Sequence, residues 1–183
     1  VLEHWPKEQI VKCLIYYHPD DIPDRRLAQE SQVRTLCEAC NESGHELLIE
    51  LIPAHGLPER DDTIARIMTR FYNLGVHPDW WKLPPQTPQQ WARIDELIET
   101  RDPYCRGVVV LGHHAPIEQL VQAFEPASRS RSCCGFAVGR SIFHDPARAW
   151  LKEEIDDEAL IERCCASFEQ LIAAWKTHRG AAN

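Results

Sequence analysis

The sequence predicts an α/β fold, a partial TIM-type (β/α)8 barrel of about five βα units with parallel strands. Three observations predict it. Short apolar runs alternate with amphipathic stretches along the chain, the pattern of strands buried on both faces and followed by helices. The landmarks Lys12, Glu50, Lys82, Val110 and Val138 are separated by 38, 32, 28 and 28 residues, close to the roughly 30 residues of one βαβ step. Finally, charged or polar residues interrupt or end the apolar runs at Lys12, Glu50, Lys82 and Gly139-Arg140, as they do where barrel strands carry a site at their C-terminal ends. An open doubly wound sheet is the competing architecture, but no glycine-rich fingerprint follows the first strand.

The elements follow in order. VKCLIYY at Val11–Tyr17 reads as a buried strand and runs into the turn His18-Pro19-Asp20-Asp21. A helix is predicted over residues 24–41, closed by Gly44, and ELLIELI at 46–52 is the second strand. A second helix over 63–74 ends at Gly75, and PDWWKL at 78–83 is a short third strand. Thr87 as N-cap and Pro88 at the first helical position open a third helix over 87–99. GVVVL at 107–111 is the cleanest parallel-strand signal. A helix over 115–124, a strand over 135–138 and one long helical tail over 145–176 complete the reading.

At 183 residues the chain falls short of the roughly 250 of a complete barrel. No linker or low-complexity stretch divides it, so a single, partial domain over residues 1–183 is expected. It opens on Val1 rather than Met, which points to a piece of something longer. The net charge of −8 argues against nucleic acid as a partner, because that surface needs clustered Lys and Arg. Arg129 and Arg131 form the one loop-borne basic patch, suited to a solvated turn or a phosphate. No apolar run reaches about 18 residues, and Lys7, Glu8 and Lys12 break up the first apolar stretch. Neither a membrane partner nor a signal peptide is expected. Eight cysteines, with Cys133-Cys134 and Cys164-Cys165 adjacent and Cys37 and Cys40 one helical turn apart, suit reduced thiols in the cytoplasm better than a disulfide scaffold.

Two lysines and a glutamate on apolar strands suggest amine chemistry. Charged residues are seldom buried unless paired or functional. A lysine beside another cation in a partly dry pocket becomes a nucleophile toward carbonyls. Lys82 follows Trp80 and Trp81, Lys12 supplies the second positive charge, and Glu50 moves protons. The alternative is a structural ion-pair network of the same three residues. Gly139-Arg140 after the last strand suits a phosphate, since glycine admits close backbone approach and a guanidinium holds the anion. The alternative there is an ordinary βα turn. His18, His113 and His114 with a cysteine can ligate zinc as in a hydrolase, but no paired CxxC and HxxxH spacing supports it. No metal and no cofactor is expected.

The segments VKCLIYYHPD (11–20), LIE (48–50), PDWWKL (78–83) and GFAVGRSIF (135–143) together resemble the aldolase-like C-terminal domain fused to bacterial 5-dehydro-2-deoxygluconokinase, an enzyme of myo-inositol catabolism. More distantly they resemble class I tagatose-1,6-bisphosphate aldolase, a TIM barrel. The resemblance covers nearly the whole chain, with its motifs in order. It implies a cytoplasmic lyase acting on a small sugar-phosphate, 5-dehydro-2-deoxy-D-gluconate 6-phosphate, cleaved to dihydroxyacetone phosphate and malonate semialdehyde. Lys82 matches the Schiff-base lysine, Lys12 the second active-site lysine, Glu50 the acid/base glutamate, and Gly139 and Arg140 the phosphate-binding segment. Tyr17 and Asp20 lie in the matching strand end without an assigned role. Leu111-Gly112-His113-His114 stands where the tagatose-bisphosphate enzymes have a serine-containing segment. The resemblance also implies that these are the C-terminal five units, with three N-terminal βα units missing. An open remnant exposes strand edges, so those units, a fused kinase domain or a homo-oligomer are the expected partners. The reading from a different class is a non-catalytic C-terminal domain of the kinase, serving assembly or sugar-phosphate binding.

Overall fold

The computed structural model of the chain describes residues 2–181, so Val1 at the start of the expected domain, and residues 182–183 at its end, lie outside the described residues. After a short 3-10 turn at Leu2–His4, strands and helices alternate: β1 Val11–Tyr17, α1 Pro23–Ser43, β2 Leu47–Pro53, α2 Thr63–Asn73, β3 Trp80–Leu83, α3 Pro88–Arg101, β4 Gly107–Leu111, α4 Ile117–Ser128, β5 Cys133–Ala137, then α5 Arg140–Leu151 and α6 Asp157–Ala181. The five strands form one all-parallel sheet in the order β1-β2-β3-β4-β5. Strand order follows chain order without reversal, so the sheet has no topological switch point. It is a partial, barrel-like βα wall.

Local chemistry accounts for most boundaries. Gly44 caps α1 in the left-handed region at φ 67°, which glycine adopts without a Cβ penalty. Thr87 opens α3 with a capping box: its hydroxyl accepts from Gln90 N–H while the Gln90 side chain accepts from Thr87 N–H. Alternation along the strands then sorts the two faces. Tyr17, Ile49, Leu51, Trp81, Leu83, Val108 and Val110 are buried with Ile67, Met68 and Phe71 of α2, Trp91 and Ile94 of α3, and Leu120 and Phe124 of α4. Each such side chain contributes about 1.5–3 kcal/mol on burial. The opposite face carries Lys12, Leu14 and Tyr16 of β1, Glu50 of β2 and Lys82 of β3.

Several boundaries differ from the sequence reading. The expected single tail is two helices. Residues 152–156 break it, with Glu153 at φ 59° and the Asp156 carboxylate accepting from Ala159 N–H to restart the chain as α6. The first of these helices starts at Arg140, five residues early, directly behind Gly139. Strand β5 begins at Cys133, two residues before the expected start, and a register irregularity against β4 lies at Val108/Val109. Helix α4 is displaced toward the C-terminus and runs through Pro126 to Ser128. Arg129 and Arg131 pair with Glu125 and Glu99 and make no open basic patch. All eight cysteines are free. No described helix is long and apolar enough to cross a membrane.

Candidate active site

The face that carries Lys12, Glu50 and Lys82 ends in a cavity of about 240 Å³ at the C-terminal ends of the strands. Lys12, Glu50, Lys82, Gly139 and Arg140 all line it, so the structure brings these five sequence candidates together. Register explains how. Glu50 pairs with Leu14 on one side and with Lys82 on the other, and Lys82 pairs with Val109. Lys12 starts one step lower, beside Leu48, and its long side chain reaches up the face to the carboxylate.

Glu50 bridges both amines. Lys12 Nζ donates to Oε2 at 2.6 Å, and Lys82 Nζ stands 3.1 Å from Oε1. The Lys82 side chain is only 17% exposed, against 49% for Lys12, so Lys82 sits in the drier part of the cavity. Trp81 beside it is fully buried on the other face. Burial works to raise the Glu50 carboxyl, but the hydrogen bonds and charges of Lys12 and Lys82 outweigh it and hold Glu50 below the usual carboxylate value. The carboxylate is therefore ionised at neutral pH and in hydrogen-bond reach of a primary amine. That is the geometry a general base needs.

The second feature is the start of α5. Gly139 is its N-cap and Arg140 its first residue. The N–H groups of Ile142 and Phe143 turn back to Gly139 O at 2.8 and 3.2 Å. Those of Arg140 and Ser141 come earlier in the turn, where a helix has no acceptors of its own. The Ser141 hydroxyl is buried and, among the described residues, without a hydrogen-bond partner. Facing it is Gly112, where an added Cβ would fall 2.8 Å from Val138 and 3.2 Å from the Ser141 hydroxyl. Glycine there is a steric requirement. With Arg140, Lys12 and Lys82 against one carboxylate, the cavity is cationic in a chain of net charge −8. An anion fits it.

Three further residues line the cavity, two weighed from the sequence only as zinc ligands and one not singled out there. His113 and His114 line the cavity with left-handed backbones, φ 43° and 65°, a conformation that costs a non-glycine residue on the order of 1–3 kcal/mol. The His114 ring meets His144 of α5 edge-on, centroids 4.3 Å apart. His18 is fully buried elsewhere, its Nδ1 accepting from Asp20 N–H. Among the described residues no three His, Cys, Asp or Glu side chains are grouped to hold a metal, so these histidines do not assemble as the zinc alternative requires. Tyr16 also lines the cavity. Strict alternation from Lys12 through Leu14 was the signal that places it there. Its neighbour Tyr17 points the other way and donates to Glu30 at 2.6 Å. Asp20 pairs with Arg66. Neither lines the cavity.

Residues 1–179 match the model of a protein family described as "Uncharacterized protein conserved in bacteria (DUF2090)". No curated protein matches the chain.

Proposed function

The chain belongs to this DUF2090 family of bacterial proteins, and from its own site we propose that it is a class I, Schiff-base-forming aldolase domain acting on a phosphorylated keto-sugar acid. The substrate that fits the resemblance drawn above is 5-dehydro-2-deoxy-D-gluconate 6-phosphate. The observation that carries the reading is the Lys12–Glu50–Lys82 bridge inside the cavity that also holds Gly139 and Arg140.

In this reading Lys82 gives a proton to Glu50 and its Nζ attacks the ketone carbon. A proton passes from the nitrogen to the oxygen to give the carbinolamine, Glu50 returns its proton to that oxygen, and the oxygen leaves as water, giving an iminium and freeing Glu50 as a base. The bond between the two carbons next along then breaks. Its electron pair moves into an enamine as the β-hydroxyl gives its proton to Glu50, and the aldehyde departs. The enamine is reprotonated at carbon, and water releases dihydroxyacetone phosphate and regenerates Lys82. Arg140 and the first N–H groups of α5 hold the phosphate, and Lys12 keeps positive charge beside the nitrogen throughout.

A coupled assay that oxidises NADH as dihydroxyacetone phosphate is released tests the proposal. Release that is lost in Lys82→Met supports it, and no release from the wild-type chain counts against it. The tight contacts of Glu50 with both amines favour one other reading. In that reading the trio is a structural ion-pair network in a non-catalytic domain of a sugar kinase. Replacing Glu50 by Gln would then lower stability with no activity to lose.

A further inference from the structure

The proposed substrate has three functional groups in a fixed order, and the sheet has a matching order of side chains. Strand β5 leads to Arg140 and the anion-binding helix start, β3 carries Lys82, and β1 carries Lys12 and Tyr16. Neighbouring strands lie about 4.8 Å apart, so Lys82 stands roughly 10 Å of sheet from either flank. A phosphate placed at Arg140 and a ketone placed at Lys82 direct the remaining carbons toward β1. There Leu14, 41% exposed, presents an apolar wall between Lys12 and Tyr16 on the same face. Lys12 gives one hydrogen bond to Glu50, and an ammonium has three to give. Tyr16 lines the cavity and is 41% exposed. The hydrogen bond that Gln29 donates to Tyr16 goes to its backbone carbonyl. The ring of His55, from the β2–α2 loop, packs against the Tyr16 ring with centroids 6.0 Å apart.

We propose that Tyr16 is a specificity-determining residue: its hydroxyl, with the half-exposed ammonium of Lys12, binds a carboxylate at the end of the substrate remote from the phosphate, and His55 positions the tyrosine. The inference rests on the aldolase reading for the order of groups, but its test does not need Schiff-base chemistry. The probes are 6-phosphogluconate and glucitol 6-phosphate. They share a six-carbon chain and a terminal phosphate and differ at the far carbon, carboxylate against hydroxymethyl. Neither has a ketone, so neither reacts with Lys82.

Calorimetric titration of the whole chain should show 6-phosphogluconate binding about tenfold tighter or better, the scale of a charge-assisted contact. Tyr16→Phe removes one oxygen and should bring the two ligands within about twofold of each other, with glucitol 6-phosphate affinity unchanged. His55→Asn should narrow the ratio in the same direction by less. Equal affinities in the wild-type chain, no binding of either probe at millimolar concentration, or a preference that survives Tyr16→Phe each overturns the proposal. Borohydride trapping on the wild-type chain with dihydroxyacetone phosphate separates the two claims. A chain that prefers 6-phosphogluconate yet forms no adduct on Lys82 sinks the aldolase reading alone. Adduct formation without the preference sinks this one alone.

Discussion

Glu50 and Glu30 are both carboxylates drawn largely out of solvent, and both are held below the usual carboxylate value, yet they sit on opposite faces of the sheet with different company. Glu30, on α1, receives Arg70 Nε at 2.9 Å and Nη2 at 2.7 Å and the Tyr17 hydroxyl at 2.6 Å. The Arg70 guanidinium pulls it down, burial opposes, and the tyrosine adds to the pull. Glu50 receives two amines across an open cavity. A guanidinium does not lose its proton in a protein, and the Tyr17 hydroxyl is itself pushed up to about 12 by burial and by Glu30. Glu30 therefore has partners that can only hold it. Glu50 has primary amines as partners, the group the proposed chemistry uses as nucleophile. In the proposed reading the same electrostatic signature is structural in one place and chemical in the other, and access together with partner identity separates the two.

Substitutions should split along that line. Lys82→Met carries the largest expected effect, a loss of cleavage of roughly 10⁴-fold or more, read in the coupled assay, with the thermal transition little changed. Glu50→Gln comes next, lowering kcat by about 10²–10⁴-fold. Glu30→Gln should do the reverse, costing about 2 kcal/mol of stability in urea unfolding while leaving kcat within about twofold. If Glu30→Gln and Glu50→Gln lowered activity alike, the contrast would collapse. The contrast sharpens with acid. Both carboxylates have folded-state values below the ordinary 4.5, so each contributes stability above about pH 4.5 that drains away as pH falls through the folded value. In Glu30→Gln the slope of stability against pH below about 4.5 should be shallower than in the wild type. The smallest effect belongs to Tyr17→Phe, about 1 kcal/mol by urea unfolding and none in the assay.

The Lys12–Glu50–Lys82 trio was legible because charge inside an apolar strand is expensive and therefore conspicuous. Lys12, Glu50 and Lys82 stood out in VKCLIYY, ELLIELI and PDWWKL without any structure. Their convergence at one end of a parallel sheet was legible too, but not the contacts, which depend on a register that sets Glu50 between Leu14 and Lys82 and on Lys12 reaching up from beside Leu48. Tyr16 was hidden for the opposite reason: an aromatic in a strand reads as core, and only the face it occupies shows otherwise. The break between α5 and α6 carries no glycine or proline. Lys152 to Asp156 has good helix formers, and Glu153 takes up a left-handed turn that no local signal announces. The β5 start was blurred by CCGFA, where small residues and one glycine give neither alternation nor an apolar run.

The central claim is that Lys82 is a nucleophile, and borohydride trapping with dihydroxyacetone phosphate tests it most directly. Intact and peptide mass spectrometry would read the adduct. One reduced adduct per chain on the peptide containing Lys82, absent in Lys82→Met and still formed in Glu30→Gln, is the predicted result. A wild-type chain that binds the phosphate and yields no adduct, or one that carries it on Lys12 instead, would contradict the account.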